Sequence, residues 1–225
     1  MEHPILFLDV ILSKFNLHIP PQVTYSWFIM VLLVGLGVLA SRRITLVPAG
    51  AQNVFELIVG GLEDFMVEIT GEEGRAFFPY IATVFIYIAV CNLIGLLPGF
   101  LSPTSNINTT LSLALCTFVY THYLGIKYHG VKYIKHFLGP IPALAPLFFP
   151  IEVIGHFARV LSLTLRLFGN IMGEDLVLAI LLFLAGTFLA PLPMMFLAVF
   201  TSVVQAFVFT LLSMMYFAGS MEHAH

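Results

Sequence analysis

Charge is what this sequence has least of. Only 9% of its 225 residues are Asp, Glu, Lys or Arg, where a soluble domain carries roughly 25%. A chain that is 60% hydrophobic, with a mean hydropathy of +1.01, cannot cover itself with a solvated surface. It is therefore read as a polytopic membrane protein. The net charge of -3 comes without a basic stripe, which argues against a nucleic-acid partner. Cysteine is scarce as well: Cys91 and Cys116 both fall in apolar runs, with no CxxC and no disulfide framework, and read as packing residues. HExxH and nucleophile–base constellations are missing, which argues against an intramembrane enzyme. No convincing internal repeat points to a self-contained secondary transporter. The eight histidines form no ligand constellation: His223 and His225 sit in a polar tail, His129 and His136 in a basic loop. Neither a metal nor a cofactor is expected. The Asn108-Thr109-Thr110 sequon lies beside a span and reads as incidental.

The apolar runs divide the chain into an expected all-α architecture of about five membrane helices plus one amphipathic surface helix. Spans are expected at 24–41, 77–98 and 107–127, followed by a long helical hairpin at 151–218. The start, through Asp9, lacks a basic n-region, so the spans are expected to direct insertion. Arg42 and Arg43 follow the first span; Lys127, Lys132 and Lys135 follow the third. The 98–110 loop has neither Lys nor Arg. By the positive-inside rule the basic loops face the cytoplasm, leaving the N-terminus outside and the C-terminus cytoplasmic. At 52–72, Phe55, Ile58, Leu62, Phe65, Met66 and Ile69 recur at helical spacing opposite Glu56, Glu63 and Glu68. This predicts an amphipathic helix lying along the cytoplasmic surface of the membrane. Its acidic face suits a protein partner better than anionic lipid, the other reading being a solvated face with no partner.

After prolines at 140, 142, 146 and 150, an apolar run from Ile151 to about Gly186 would be roughly 54 Å long as a helix. The hydrocarbon core is only roughly 30 Å thick. Such a helix must tilt steeply, break, or lie nearly in the membrane plane. Within it stands Arg166, with no acidic residue within a turn. Arginine keeps its proton in any protein environment, and a cation inside a membrane is costly enough to be functional by default. Glu152, Gly155, Arg159, Ser162, Gly169, Asn170 and Gly173 all fall within about 60° of it at 100° per residue. Small residues permit close approach of another helix, while the charges have to meet something polar. The stripe predicts a docking or sliding surface for a partner that carries an acidic group at membrane depth. Arg159 has two ordinary outcomes open to it, pairing with Glu152 or snorkelling.

Titratable groups flank the arginine. Glu174 lies about 80° off the stripe and Asp175 on the opposite side, two turns beyond Arg166. Adjacent carboxylates there suit the passage of protons. His156 stands one turn from Glu152 as a second titratable neighbour. On the last helix Gln205 is the only amide, preceded by Thr201 and Ser202. A hydrogen bond to Arg166 or Asn170 across the hairpin would satisfy it.

The run Ser162-Leu163-Thr164-Leu165-Arg166-Leu167-Phe168-Gly169-Asn170 resembles the signature around the essential arginine of subunit a, from the membrane (Fo) sector of F-type ATP synthases. Gln205-Ala206-Phe207-Val208-Phe209 resembles the family's second signature, and Asn92-Leu93-Ile94-Gly95-Leu96-Leu97-Pro98 with the 103–110 stretch resembles its hairpin. These ordered matches run through about two-thirds of the chain. The resemblance implies that the two last helices lie tilted against the rotating c-ring, with Arg166 facing it and Asn170 and Gln205 flanking. It places Glu152 in one half-channel. The family often carries a carboxylate nine residues after its arginine, which is Asp175 here; some members carry His or Glu seven residues before the glutamine, where this chain has Ala198. The implied partners are the c-ring, peripheral-stalk subunit b, membrane lipid and the translocated ion, a proton or sodium as the ring dictates. A non-catalytic, ion-translocating stator subunit in a bacterial inner membrane is the expectation. The alternative is a secondary transporter whose Arg166 binds an anionic substrate.

Overall fold

A computed structural model of the chain describes residues 8, 19–41, 51–97, 99–130, 133, 145–185 and 191–221. The described residues form helices α1 (Pro21–Ser41), α2 (Ala51–Thr70), α3 (Phe78–Ile94), α4 (Ile107–His129), α5 (Ala145–Ala185) and α6 (Pro191–Met221), and no strand occurs among them. Short 3-10 turns, Glu72–Phe77 and Pro103–Ser105, precede α3 and α4. Among the described residues four segments are long and apolar enough to cross a membrane: Pro21–Ala40, Glu72–Ile94, Phe148–Leu184 and Pro191–Met221. The chain is an all-α polytopic membrane protein. Helix α4 has the length, at 23 residues, but its Asn108, Thr109, Thr110, Ser112, Thr117, Thr121 and His122 leave it more polar than those four. It packs against α5 and α6, with Thr110, Thr117 and Thr121 buried and Asn108 and Ser112 exposed.

Helix α5 is unbroken over 41 residues, about 62 Å at helical rise. It begins at Ala145 rather than at Ile151, so Pro146 and Pro150 lie inside it. The first four N–H groups of a helix have no internal partner, which makes Pro146 harmless in the first turn. Pro150 forfeits one backbone hydrogen bond.

Helices α3 to α6 share one core. Val84 and Ile88, Ala114, the α5 row Val160, Leu163, Leu167 and Ile171, and Ala206 with Phe209 pack in a single buried cluster. The α5 row steps by three and four residues, so one side of that helix faces the bundle. Leu161, Leu165, Met172 and Leu176 on the other side are exposed. Arg166 stands at the margin between the two. In lipid such packing is held by close fit and interhelical hydrogen bonds rather than by water exclusion. Helix α2 lays Leu62 and Met66 against Phe77, Ile81, Leu124, Met214 and Phe217. Its apolar face thus meets the bundle, although Leu57 and Ile58 remain exposed. Glu63 pairs with Arg75 at 3.5 Å.

A polar knot ties the α3–α4 connection to α6. The Thr104 hydroxyl donates to Asn92 Oδ1 at 2.6 Å, and Asn92 Nδ2 donates to the Ser202 carbonyl at 3.2 Å. Ser102 Oγ donates to the Cys91 carbonyl at 2.9 Å. This closeness requires glycine at position 95, because a Cβ there would stand 2.6 Å from the Ser102 Cβ. Helix α1 attaches more lightly, through Ile29 against Cys91 and Ile94 and through the Tyr25 hydroxyl donating to the Gly99 carbonyl at 3.1 Å.

Candidate functional site

Arg166 lies near the middle of α5, half-buried, and its Nη2 donates to Ser162 Oγ at 3.2 Å one turn earlier. Among the described residues no carboxylate lies within ion-pair distance of it. A cation held by one neutral hydroxyl is poorly satisfied, which leaves it able to attract an anionic group from outside the chain. Gly169 and Gly173 share its side of the helix with open space around them, as close approach of another helix would need.

The polar groups of the hairpin divide into two sets on either side of Arg166. Towards the C-terminal end of α5, Asn170 Nδ2 donates to Gln205 Oε1 at 2.6 Å across the α5–α6 contact. Of the two partners open to Gln205, the register of the hairpin selects Asn170. Gln205 is 4% exposed and Glu174 8%. Gln205 Nε2, Glu174 Oε2 and Ser202 Oγ are buried with no protein hydrogen-bond partner. Buried polar atoms of this kind are rare unless water or a ligand meets them. A cleft of about 260 Å³ runs past Asn170, Gly173, Glu174, Ala198 and Thr201, roomy and polar enough for water. Asp175 points elsewhere, half-buried, with Ser105 beside its carboxylate. Glu174 and Asp175 are thus neighbours in sequence that face different surroundings, the first the α6 cleft and the second the Pro103–Ser105 turn.

On the other side of Arg166, Glu152 Oε1 lies 3.5 Å from Nε2 of the buried His156. Arg159 does not pair with Glu152; its guanidinium lies 5.5 Å over the Tyr216 ring. A cleft of about 210 Å³ is lined by Tyr133, His156, Arg159, Met215, Tyr216, Gly219 and Ser220. The sequence singled out Glu152 and His156 but missed what α4 adds. The His122 ring lies 4.9 Å from that of His156, and Tyr133 stands 5.9 Å beyond it. The available signal was the polar run Thr117, Thr121, His122 on an otherwise apolar helix. His156 and Glu174 are separated along α5 by about 27 Å of helical rise, with Arg166 between them. The arrangement offers two clefts with polar residues in their walls that do not share a lining residue, on either side of a fixed positive charge along α5.

Among family models, the one described as ATP synthase A chain matches residues 23–218. The chain is 58% identical over 239 residues to an ATP synthase subunit a of Syntrophobacter fumaroxidans, with 100% of each covered. It is 58% identical over 229 residues to that of Desulfosudis oleivorans, and 54% identical over 230 residues to that of Citrifermentans bemidjiense, again with 100% of each chain covered.

Proposed function

The chain belongs to the ATP synthase subunit a family, and from that premise we propose that it is the stator through which protons reach and leave the c-ring carboxylates of the Fo sector. The observation that carries this reading is Arg166, a cation with no carboxylate partner among the described residues, standing between two separate polar clefts.

Arg166 cannot carry protons, because it does not release its own. Its charge acts on a passing ring carboxylate. At about 4 Å and an effective dielectric near 20 the attraction is about 4 kcal/mol, which favours the ionised form by roughly a thousandfold. A ring carboxylic acid arriving opposite Arg166 therefore gives up its proton. The same charge repels a proton moving directly from one cleft to the other. Protons must enter by one half-channel, travel with the ring and leave by the second. Asn170, Gln205, Glu174 and Asp175 serve the outside-facing path; Glu152, His156 and Ser162 serve the cytoplasmic one. Each charge that crosses 100 mV releases about 2.3 kcal/mol, and several per turn drive rotation. The basic loops lie on the cytoplasmic side, the N-terminus outside, and the peripheral-stalk subunit b holds the stator still.

Copurification tests this against a self-contained transporter. The tagged chain, extracted in mild detergent, brings down c-ring and peripheral-stalk subunits. A chain that purifies alone and transports an organic anion would overturn the reading.

A further inference from the structure

We propose that the two adjacent carboxylates of the outside-facing path divide its work: Glu174 takes up and releases the protons, and Asp175 is a positioning residue that anchors the Pro103–Ser105 turn to α5. The division rests on the proton-pathway reading above and gives each carboxylate its own role within it.

The surroundings of the two side chains carry it. Successive residues of a helix point 100° apart, so Glu174 and Asp175 face different neighbours. Glu174 shares a side of α5 with Asn170 and Val177, and with Leu197, Ala198 and Thr201 of α6 they line a cleft of about 260 Å³. One water needs only about 10–15 Å³ of such space. Ala198, fully buried, gives the opposite wall only a methyl group. Among the residues that line the cleft, only Glu174 titrates. Its Oε2 is buried without a hydrogen-bond partner among the described residues. A dry, unpaired carboxylate oxygen is costly, so water in the cleft has to meet it. An oxygen met by water alone exchanges a proton without breaking a contact that holds the fold.

Asp175 is held differently. The Ser105 hydroxyl has two acceptors within reach, the Ser102 carbonyl at 2.8 Å and the Asp175 carboxylate. The turn itself packs on α5. Beside Ser105, Thr104 binds Asn92, which in turn donates to the Ser202 carbonyl of α6. Asp175 thereby ties α5 to the knot that sets α6 in place, and with it the far wall of the Glu174 cleft.

Water in the cleft gives a proton to Oε2 of Glu174; an O–H bond forms and the carboxylate loses its charge. The acid then passes the proton to an ionised ring carboxylate and regains its charge. Glu174 stands about 12 Å of helical rise from Arg166, so water bridges the remaining distance. Asn170, bonded to Gln205 one turn nearer Arg166, orients that water without titrating. The sequence reverses when ATP drives the ring.

The test uses the assembled ATP synthase in inverted vesicles. Passive proton conductance is measured after removal of the catalytic head, under an imposed potential. Glu174→Gln keeps the shape of the side chain and lowers conductance about tenfold, less than a positioned acid–base group typically contributes because cleft water substitutes in part. Ala198→Glu in the Glu174→Gln background returns a carboxyl group to the same cleft from its opposite wall and restores conductance. Asp175→Asn, whose amide oxygen still accepts from Ser105, keeps more of the conductance than Asp175→Leu, which also lowers the thermal unfolding midpoint of the purified complex. Conductance like that of the unaltered complex in Glu174→Gln would overturn the division. So would a loss in Asp175→Asn as deep as that in Glu174→Gln, or an assembled double variant no better than Glu174→Gln alone. If Glu174→Gln does not assemble, Glu174→Ser is judged by the same conductance outcome. Arg166→Ala is run beside them: if it still pumps, the pathway reading itself fails; if it does not pump while Glu174→Gln conducts normally, only the division fails.

Discussion

The Asn170–Gln205 hydrogen bond separates interhelical glue from proton path by magnitude. Asn170 Nδ2 donates to Gln205 Oε1 at 2.6 Å, and interhelical hydrogen bonds in membrane proteins couple by about 0.6 kcal/mol on average. Loss of that coupling changes an equilibrium only roughly threefold. The two single substitutions are unequal, however. Gln205→Leu leaves behind an Asn170 side chain that sits at the exposed surface of α5 and is not buried without a partner. Asn170→Leu strands the amide of Gln205, which is 4% exposed and already has an unpaired Nε2. A stranded buried polar group costs about 1–3 kcal/mol. Asn170→Leu therefore lowers the thermal unfolding midpoint of the purified complex more than Gln205→Leu, and the double variant recovers part of the loss. ATP-driven acidification of inverted vesicles falls in both single variants by more than the roughly threefold that lost coupling explains. Equal destabilisation with strict additivity would refute the hydrogen bond, and pumping losses within that threefold would reduce the pair to glue.

Two further substitutions probe the knot at the α3–α4 connection. Asn92→Leu removes the acceptor of Thr104 and the donor to Ser202; at about 1–3 kcal/mol per stranded group, thermal unfolding of the purified complex shifts clearly downward, and no shift would contradict the packing described. Gly95→Val drives its side chain into Ser102 and costs roughly 1–3 kcal/mol by overpacking, read in the same assay; an unchanged midpoint would show that the connection has room.

What the sequence alone makes legible follows from properties of single helices. Scarce charge dictated a membrane protein, because such a chain has nothing with which to cover a solvated surface. The side of α5 carrying Arg166 followed from 100° per residue, and the closeness of Glu152 and His156 from their four-residue spacing. Properties that depend on register between helices stayed hidden. Gln205 could have met Arg166 or Asn170, since only the sliding position of α6 against α5 decides. His122 carried no mark of its pairing, because nothing along α4 records which residue of α5 packs beside it. Asp175 was legible as a position but not as an environment; the Ser105 beside it comes from a turn seventy residues earlier in the chain. The start of α5 was misplaced because a proline cluster reads as a break, although the first turn tolerates one.

The central claim is that the charge of Arg166 parts two proton paths. It is tested most directly by Arg166→Ala in inverted vesicles, with ATP-driven acidification, ATP hydrolysis and passive proton leak recorded together. The account predicts an assembled complex that no longer acidifies the vesicles and leaks protons faster, because nothing repels direct passage between the clefts. Near-normal acidification without added leak would contradict it and leave Arg166 as a packing residue.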